Sequence, residues 1–267
     1  MKHNKTTSIR FSFFILLLTF TVILSSCSRQ RIRSDIPVEE RMKIALKMFE
    51  KRDYLDAKTQ FRIITLSYSG NALADKAQYY LAECHFFIKE YILSASEYER
   101  LLKVYPNSEY VDDAKYKLGL SYYELSPKPA LDQEYTLKAN KEFQEFLEDY
   151  YTSPLIETVE KKLLEAQSKL ADKVYTAADQ YRKMQYYNAA IIYFTKVLEN
   201  YYDTGYAPLA QYWLGECYRK LGNYNEAGDA FNTFIKKYPQ HELITKVRKK
   251  LEAMAIDIEK QNKVTNK

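Results

Sequence analysis

From residue 38 onward, small and aromatic residues return at helical spacing, and the same arrangement comes back five times. A small residue on one helix is followed three residues later by a larger one. About a dozen residues further on, a second small residue is followed four later by an aromatic. Gly215, Tyr218, Ala227 and Phe231 show this most clearly, closed by Pro239. Ala178, Tyr181, Ala190 and Phe194 repeat it, as do Ala82, His85, Ser94 and Tyr98, closed by Pro106. Gly119, Tyr122, Ala139 and Phe143 form a unit stretched at residues 126–135, and Ala45, Met48, Ala57 and Phe61 form a weaker first one. The pattern predicts paired antiparallel helices, the small residues allowing close approach and the aromatics filling the space beside them. Gly222 and Asn223 turn one helix into the next, and Pro239 stops the second.

Tyr206 to Pro239, YAPLAQYWLGECYRKLGNYNEAGDAFNTFIKKYP, closely resembles a tetratricopeptide repeat. The second-helix small residues fall at 57, 94, 139, 190 and 227, with separations of 37, 45, 51 and 37. The expected fold is therefore all-α, a tetratricopeptide-repeat solenoid of about five helix-turn-helix units, each burying its apolar face only against its neighbours. Leu155 to Met184 runs for thirty residues without Gly or Pro, which predicts a long helix, unbroken or broken once, entering unit four. The expected organisation is repeats one to three over 38–154, repeats four and five over 155–240, and a C-terminal helix with a frayed tail over 241–267.

The N-terminus follows a different pattern. Lys2, Lys5 and Arg10 precede the mostly apolar FSFFILLLTFTVIL at 11–24. Fourteen residues are short of the roughly 20 that a spanning helix needs and suit a secretory signal. Leu24-Ser25-Ser26-Cys27 resembles a bacterial lipobox, which implies a signal peptide over 1–26, lipidation of Cys27 and a lipidated tether over 27–37. A single acyl chain binds a bilayer with only about 10⁴ M⁻¹, so the several chains usual on such a cysteine would make the anchor lasting. Ser28, in place of the aspartate that commonly retains lipoproteins in the inner membrane, favours the outer membrane.

Residues 1–26 hold three of the 40 Lys and Arg and none of the 35 Asp and Glu, so residues 27–267 carry 37 against 35, a net +2. That balance gives no reason to expect a nucleic-acid partner, which needs basic residues clustered on one face. The C-terminal run from Lys246 is locally basic but reads as an amphipathic helix with a frayed, solvated end. Cys84 and Cys217 each follow the small first-helix residue of their own repeat by two. Positions so distant along a solenoid cannot meet in a disulfide, and both are expected to be buried fillers. His3 leaves with the signal, His85 and His241 lie far apart, and no strand leads into a Gly-rich loop. Neither an enzyme nor a cofactor is expected.

The order of lipobox, tether and five repeats is similar to the BamD family, the repeat lipoproteins of the outer-membrane β-barrel assembly machine. VYPNSEYVDDAKYKLGLSYYE (Val104 to Glu124) resembles the family's join between repeats two and three, and Lys169 to Thr204 resembles its fourth unit. Tyr202, where the family usually has proline, and the lysine-rich C-terminus depart from it. The resemblance implies a scaffold, lipid-anchored at the periplasmic face of the outer membrane. Its C-terminal repeats would dock the POTRA domains of a BamA-type barrel insertase, and its N-terminal repeats would take unfolded outer-membrane proteins. Other assembly-machine lipoproteins are implied as further partners. Repeat geometry points to Gln78, Tyr79, His85, Lys115, Tyr116 and Tyr123 on first helices as a peptide groove for an extended or partly helical segment. Repeats alone leave two alternatives open: another peptide-binding lipoprotein serving cell-wall or pilus assembly, or a glycan-binding surface lipoprotein using some of the 26 tyrosines.

Overall fold

The computed structural model describes residues 36–265, with side chains to residue 256. The signal peptide at 1–26, Cys27 and nearly all of the tether lie outside the described residues. By internal contacts the chain divides into residues 1–40 and 41–267. The regular elements of the described residues are eleven helices in this order: α1 Val38–Glu50, α2 Tyr54–Ser67, α3 Ala74–Phe87, α4 Tyr91–Val104, α5 Val111–Leu125, α6 Glu134–Asp149, α7 Ile156–Lys183, α8 Tyr187–Asn200, α9 Tyr206–Lys220, α10 Tyr224–Lys237 and α11 Ile244–Thr265. From α2 to α11 each helix packs on its neighbour in sequence, the tetratricopeptide arrangement expected from the repeats.

The repeat pattern becomes packing directly. Ala45, Ala82, Ala178 and the second-helix residues Ala57, Ser94, Ala139, Ala190 and Ala227 are all fully buried, as are Phe61, Tyr98, Phe143, Phe194 and Phe231. Gly119 and Gly215 show why a small residue is required. A Cβ on Gly119 would lie 2.6 Å from Phe143 Cε1, and one on Gly215 would lie 2.6 Å from Phe231 Cε1. Two repeats that differ in loop length thus share one close approach of helix to ring.

Two kinds of turn recur. Within repeats, the second residue after the first helix enters the left-handed region: Arg52, Lys89 and Gln185 at φ 62–63° and Gly222 at 79°. The amides that follow close onto the helix end, Glu90 N–H donating to His85 O and Asn223 N–H to Tyr218 O. Between repeats, a tyrosine ends each second helix and its carbonyl accepts from the residue three further on: Asn71, Ser108, Ser153, Thr204 and His241. Those residues in turn start the next helix. Asn71 Oδ1, Ser108 Oγ, Ser153 Oγ and His241 Nδ1 each accept the backbone N–H two residues ahead. Ser108 Oγ also donates to Asp75 at 2.6 Å, and Ser153 Oγ to Asp112 at 2.8 Å. Each serine reaches back to the acidic residue at the start of the preceding repeat, so the turn fixes the register between repeats.

Repeat three carries a longer connection at 126–133. Buried Gln133 organises it, its Nε2 donating to the carbonyls of Lys128 and Leu131 at 2.9 and 3.2 Å. Lys173 on α7 donates to Leu131 O at 2.7 Å, and Lys169 to Ser126 Oγ at 3.2 Å. α7 is unbroken over 28 residues. Its Val159 belongs with Phe143 and Phe146 of repeat three, while Ala178 belongs with Phe194 and Val197 of repeat four.

Candidate functional site

Along one face of an amphipathic helix, 3.6-residue periodicity selects which residues face a neighbour, but a first helix in this array has neighbours on two sides. That decides the fate of the six candidate groove residues. Gln78 is fully buried, its Nε2 donating to Glu97 O at 2.9 Å and to Glu97 Oε2 at 2.7 Å. Gln211 makes the same backbone bond to Ala230 O at 2.9 Å in repeat five, so the role of Gln78 is to tie first helix to second. Tyr79 is half-buried and stacks on Tyr110, ring centroids 4.7 Å apart. Lys115 is held between Glu142 at 2.7 Å and Glu145 at 2.5 Å, joining α5 to α6. Tyr116 lies 6.2 Å from the Phe143 ring, and Tyr123 sits beneath Lys169 Nζ at 4.3 Å and Lys162 Nζ at 5.1 Å.

His85 is 1% exposed and lies inside a charged network. Arg62 Nη2 approaches its Nε2 at 3.1 Å, and its Nδ1 lies 2.6 Å from Glu90 Oε2, which also accepts from Lys58 at 3.0 Å. An arginine can only donate, so Nε2 accepts and the ring proton sits on Nδ1, donating to Glu90. Burial pushes the His85 pKa below its ordinary 6.5, with Lys58 and Arg62 adding to the effect against the pull of Glu90. The folded chain therefore holds His85 neutral at a pH where the unfolded chain takes up a proton. Stability is unaffected by this residue above 6.5 and falls as pH drops below it, by at most about 1.4 kcal/mol per pH unit. Urea unfolding at pH 7.5 and 5.5 is expected to give lower stability at 5.5, with the difference shrinking in His85→Gln. An unchanged difference in that variant would place the effect elsewhere.

The six candidates thus form two groups rather than one groove. Gln78 and His85 are turned into the packing between helices, and Tyr79, Lys115, Tyr116 and Tyr123 line the seams beside it. A richer cluster, not anticipated from the sequence, lies alongside them. Glu83 is buried and accepts from the Tyr98 hydroxyl and from Lys117 at 2.9 Å. Lys117 Nζ also stands 5.0 Å from the Phe86 ring and 5.7 Å from the Phe87 ring. Phe87 is 45% exposed and stacks on Tyr54 at 4.8 Å. Burial, with Glu83 nearby, raises the phenols of Tyr79 and Tyr98, so both stay protonated hydrogen-bond donors. Burial and the adjacent Asp112 raise the Asp113 carboxyl. The signal was present in the adjacent letters ECHFF (Glu83 to Phe87) and in Lys117 one repeat later, but nothing in the spacing says that these meet.

Cys84 and Cys217 are both buried and unpaired, their thiols pushed up to about 12 by burial. In the C-terminal repeats, Arg182 stacks over Trp213 with its guanidinium carbon 3.8 Å from the ring. A cavity of about 510 Å³ runs between the turns at residues 69–75 and 104–108, bounded by Tyr105, Pro106, Asn107 and Ser108. No group of three or more His, Cys, Asp or Glu among the described residues could hold a metal ion, and no described helix is long and apolar enough to cross a membrane.

Comparison with known proteins adds what geometry cannot. The YfiO family, described as outer membrane lipoprotein, matches residues 34–230, from ahead of α1 into α10. An outer membrane protein assembly factor BamD from Rickettsia prowazekii (strain Madrid E) is 24% identical over 225 residues, covering 84% of this chain and 90% of that one. The protein of the same name from Vibrio cholerae serotype O1 is 21% identical over 216 residues, 77% of this chain and 90% of its own. An Aquifex aeolicus (strain VF5) protein carrying that name provisionally is 31% identical over 190 residues, 70% of this chain and 61% of that one.

Proposed function

The chain belongs to the YfiO family of outer membrane lipoproteins, and on that premise we propose that it serves outer-membrane protein assembly as a lipid-anchored, non-covalent scaffold. The observation that carries the reading is the extent of the family match, which takes in every repeat helix from α1 into α10 rather than one generic repeat.

In this reading Cys27 carries the lipid and holds the chain at the periplasmic face of the outer membrane. Repeats four and five hold the POTRA domains of a BamA-type barrel insertase, with other assembly-machine lipoproteins alongside. Repeats one to three receive unfolded outer-membrane proteins. Tyr79, Tyr116 and Tyr123 offer aromatic surface for that, with Phe87, Lys115 and Lys117 beside them. Half-buried aromatics with adjacent cations suit a segment that alternates apolar and polar side chains. No step in this role breaks a bond or requires a cofactor.

The test is affinity purification of the tagged chain from detergent-solubilised envelopes, followed by mass spectrometry. The expected result is a POTRA-bearing outer-membrane barrel in near-equal amount. Recovery of a TonB-type transporter or a cell-wall synthase in its place, or of no partner, overturns the assignment.

A further inference from the structure

The near-neutral balance of residues 27–267 conceals a basic end. Residues 236–256 contain six Lys or Arg and two acids, Glu242 and Glu252, a net +4 that leaves −2 on the remainder. Part of this charge surrounds a cleft of about 370 Å³ between α9, the start of α10 and α11. Arg219, Lys246, Lys249 and Lys250 stand around it, and Tyr224, Ala253 and Met254 supply its apolar lining. α11 lies beyond the family-matched span of residues 34–230.

The cations are not used up by the fold. Among the described residues Glu216 is the one carboxylate that pairs with any of them. It accepts from Arg219 Nε and Nη2 at 3.2 and 3.1 Å and from Lys250 at 3.1 Å. Lys246 stands 5.0 Å from the Tyr212 ring, and Lys249, exposed, has no ion pair among the described residues. Four cations against one carboxylate leave an excess of three positive charges beside an apolar lining.

We propose that this cleft docks an acidic polypeptide segment, an apolar side chain entering between flanking carboxylates. The arrangement of charge selects this occupant over a phosphate headgroup. A phosphate is best held by a free arginine fork or by cations converging on one point. Here the only arginine already spends its fork on Glu216. Lys246, Lys249 and Lys250 form a row along one helix face, at i, i+3 and i+4, over about 6 Å of rise. Separate point charges in a row match carboxylates distributed along a chain. The proposal does not depend on the assembly role and can fail or hold independently of it.

The test is fluorescence anisotropy of the full chain in dodecyl maltoside at about 100 mM salt, where charges within roughly 10 Å still interact. The probe is a fluorescein-labelled decapeptide, Asp-Glu-Phe-Glu-Asp repeated twice. The expected result is saturable binding that weakens about tenfold in Lys246→Glu and in Lys249→Glu. Lys236→Glu, the same charge change at an exposed site on α10 outside the cleft, is expected to alter it less than about twofold. Far-UV circular dichroism checks that all three variants are folded. The proposal is overturned by an equal loss in Lys236→Glu, which would mean a diffuse field. It is equally overturned by equal binding of the peptide with lysine at every acidic position, by displacement of the peptide by submicellar dihexanoyl phosphatidylglycerol at comparable concentration, or by no binding.

Discussion

Replacing Phe231 with alanine lowers the stability of the C-terminal repeats by about 3–5 kcal/mol, the usual cost of deleting a buried ring whose surroundings cannot collapse. Collapse is blocked because Phe231 has no exposure and is wedged between Gly215 of α9 and a cluster of Tyr212, Ala227, Phe234, Val247 and Met254. The complementary change is smaller. Gly215→Ala gains about 1 kcal/mol in helix propensity. It also places a methyl 2.6 Å from Phe231 Cε1 and 2.8 Å from Cδ1, and relieving such overpacking costs about 1–3 kcal/mol. The clash wins, so Gly215→Ala destabilises on balance. Combining it with Phe231→Leu should cost less than the two changes summed, by about 0.5 kcal/mol or more, because the smaller side chain vacates the space that the methyl needs. Urea unfolding followed by circular dichroism measures the whole array, and emission from Trp213, the only tryptophan, reports beside the altered site. Strict additivity would sink the account of this contact, as would a Phe231→Ala penalty below about 1 kcal/mol.

The second large effect is electrostatic. Lys117→Met is expected to destabilise by about 2 kcal/mol, because it leaves Glu83 buried with only the Tyr98 hydroxyl to satisfy it. The figure lies below that for a deeply buried pair because Lys117 keeps 20% of its side chain in solvent. Methionine preserves the stem that packs on Phe86 and Phe87, so the loss reports the charge rather than the contact area. Adding Glu83→Gln should recover part of the loss by removing the stranded carboxylate. If Lys117→Met unfolds within about 0.5 kcal/mol of the unaltered chain, the pair is screened by water and contributes little.

These residues also show how far the sequence could be read. Gly215, Phe231 and their counterparts were legible because close packing of two helices demands a small residue at a fixed distance from a ring, and that demand repeats. α7 was legible because neither Gly nor Pro interrupts thirty residues. The left-handed positions at Arg52, Lys89 and Gln185 were not, since only Gly222 advertises its conformation by its chemistry. The connection at 126–133 is held by Gln133, a residue with no local signal, acting on carbonyls whose positions depend on tertiary structure. Helical phase alone puts Gln78 and His85 on a ligand face because it is the same for a groove and for a seam. Which of the two a residue occupies depends on the neighbouring repeat, and its partners there, Glu97 for Gln78 and Glu90 with Arg62 for His85, carry no mark in the local pattern. The cleft walled by α11 lay in a stretch legible only as an amphipathic basic helix, since its other side comes from residues some thirty positions earlier.

The unbroken span of α7 has a mechanical consequence. At 1.5 Å per residue its 28 residues make a strut of about 42 Å, with one end embedded in the packing of repeat three and the other in that of repeat four. A rotation imposed at either end is delivered to the other as torque, because no Gly, Pro or loop lies between them to absorb it. Pulled from its two termini in an optical trap, the array would be expected to shed its outer repeats first. The central pair would yield last and together, as one elastic body.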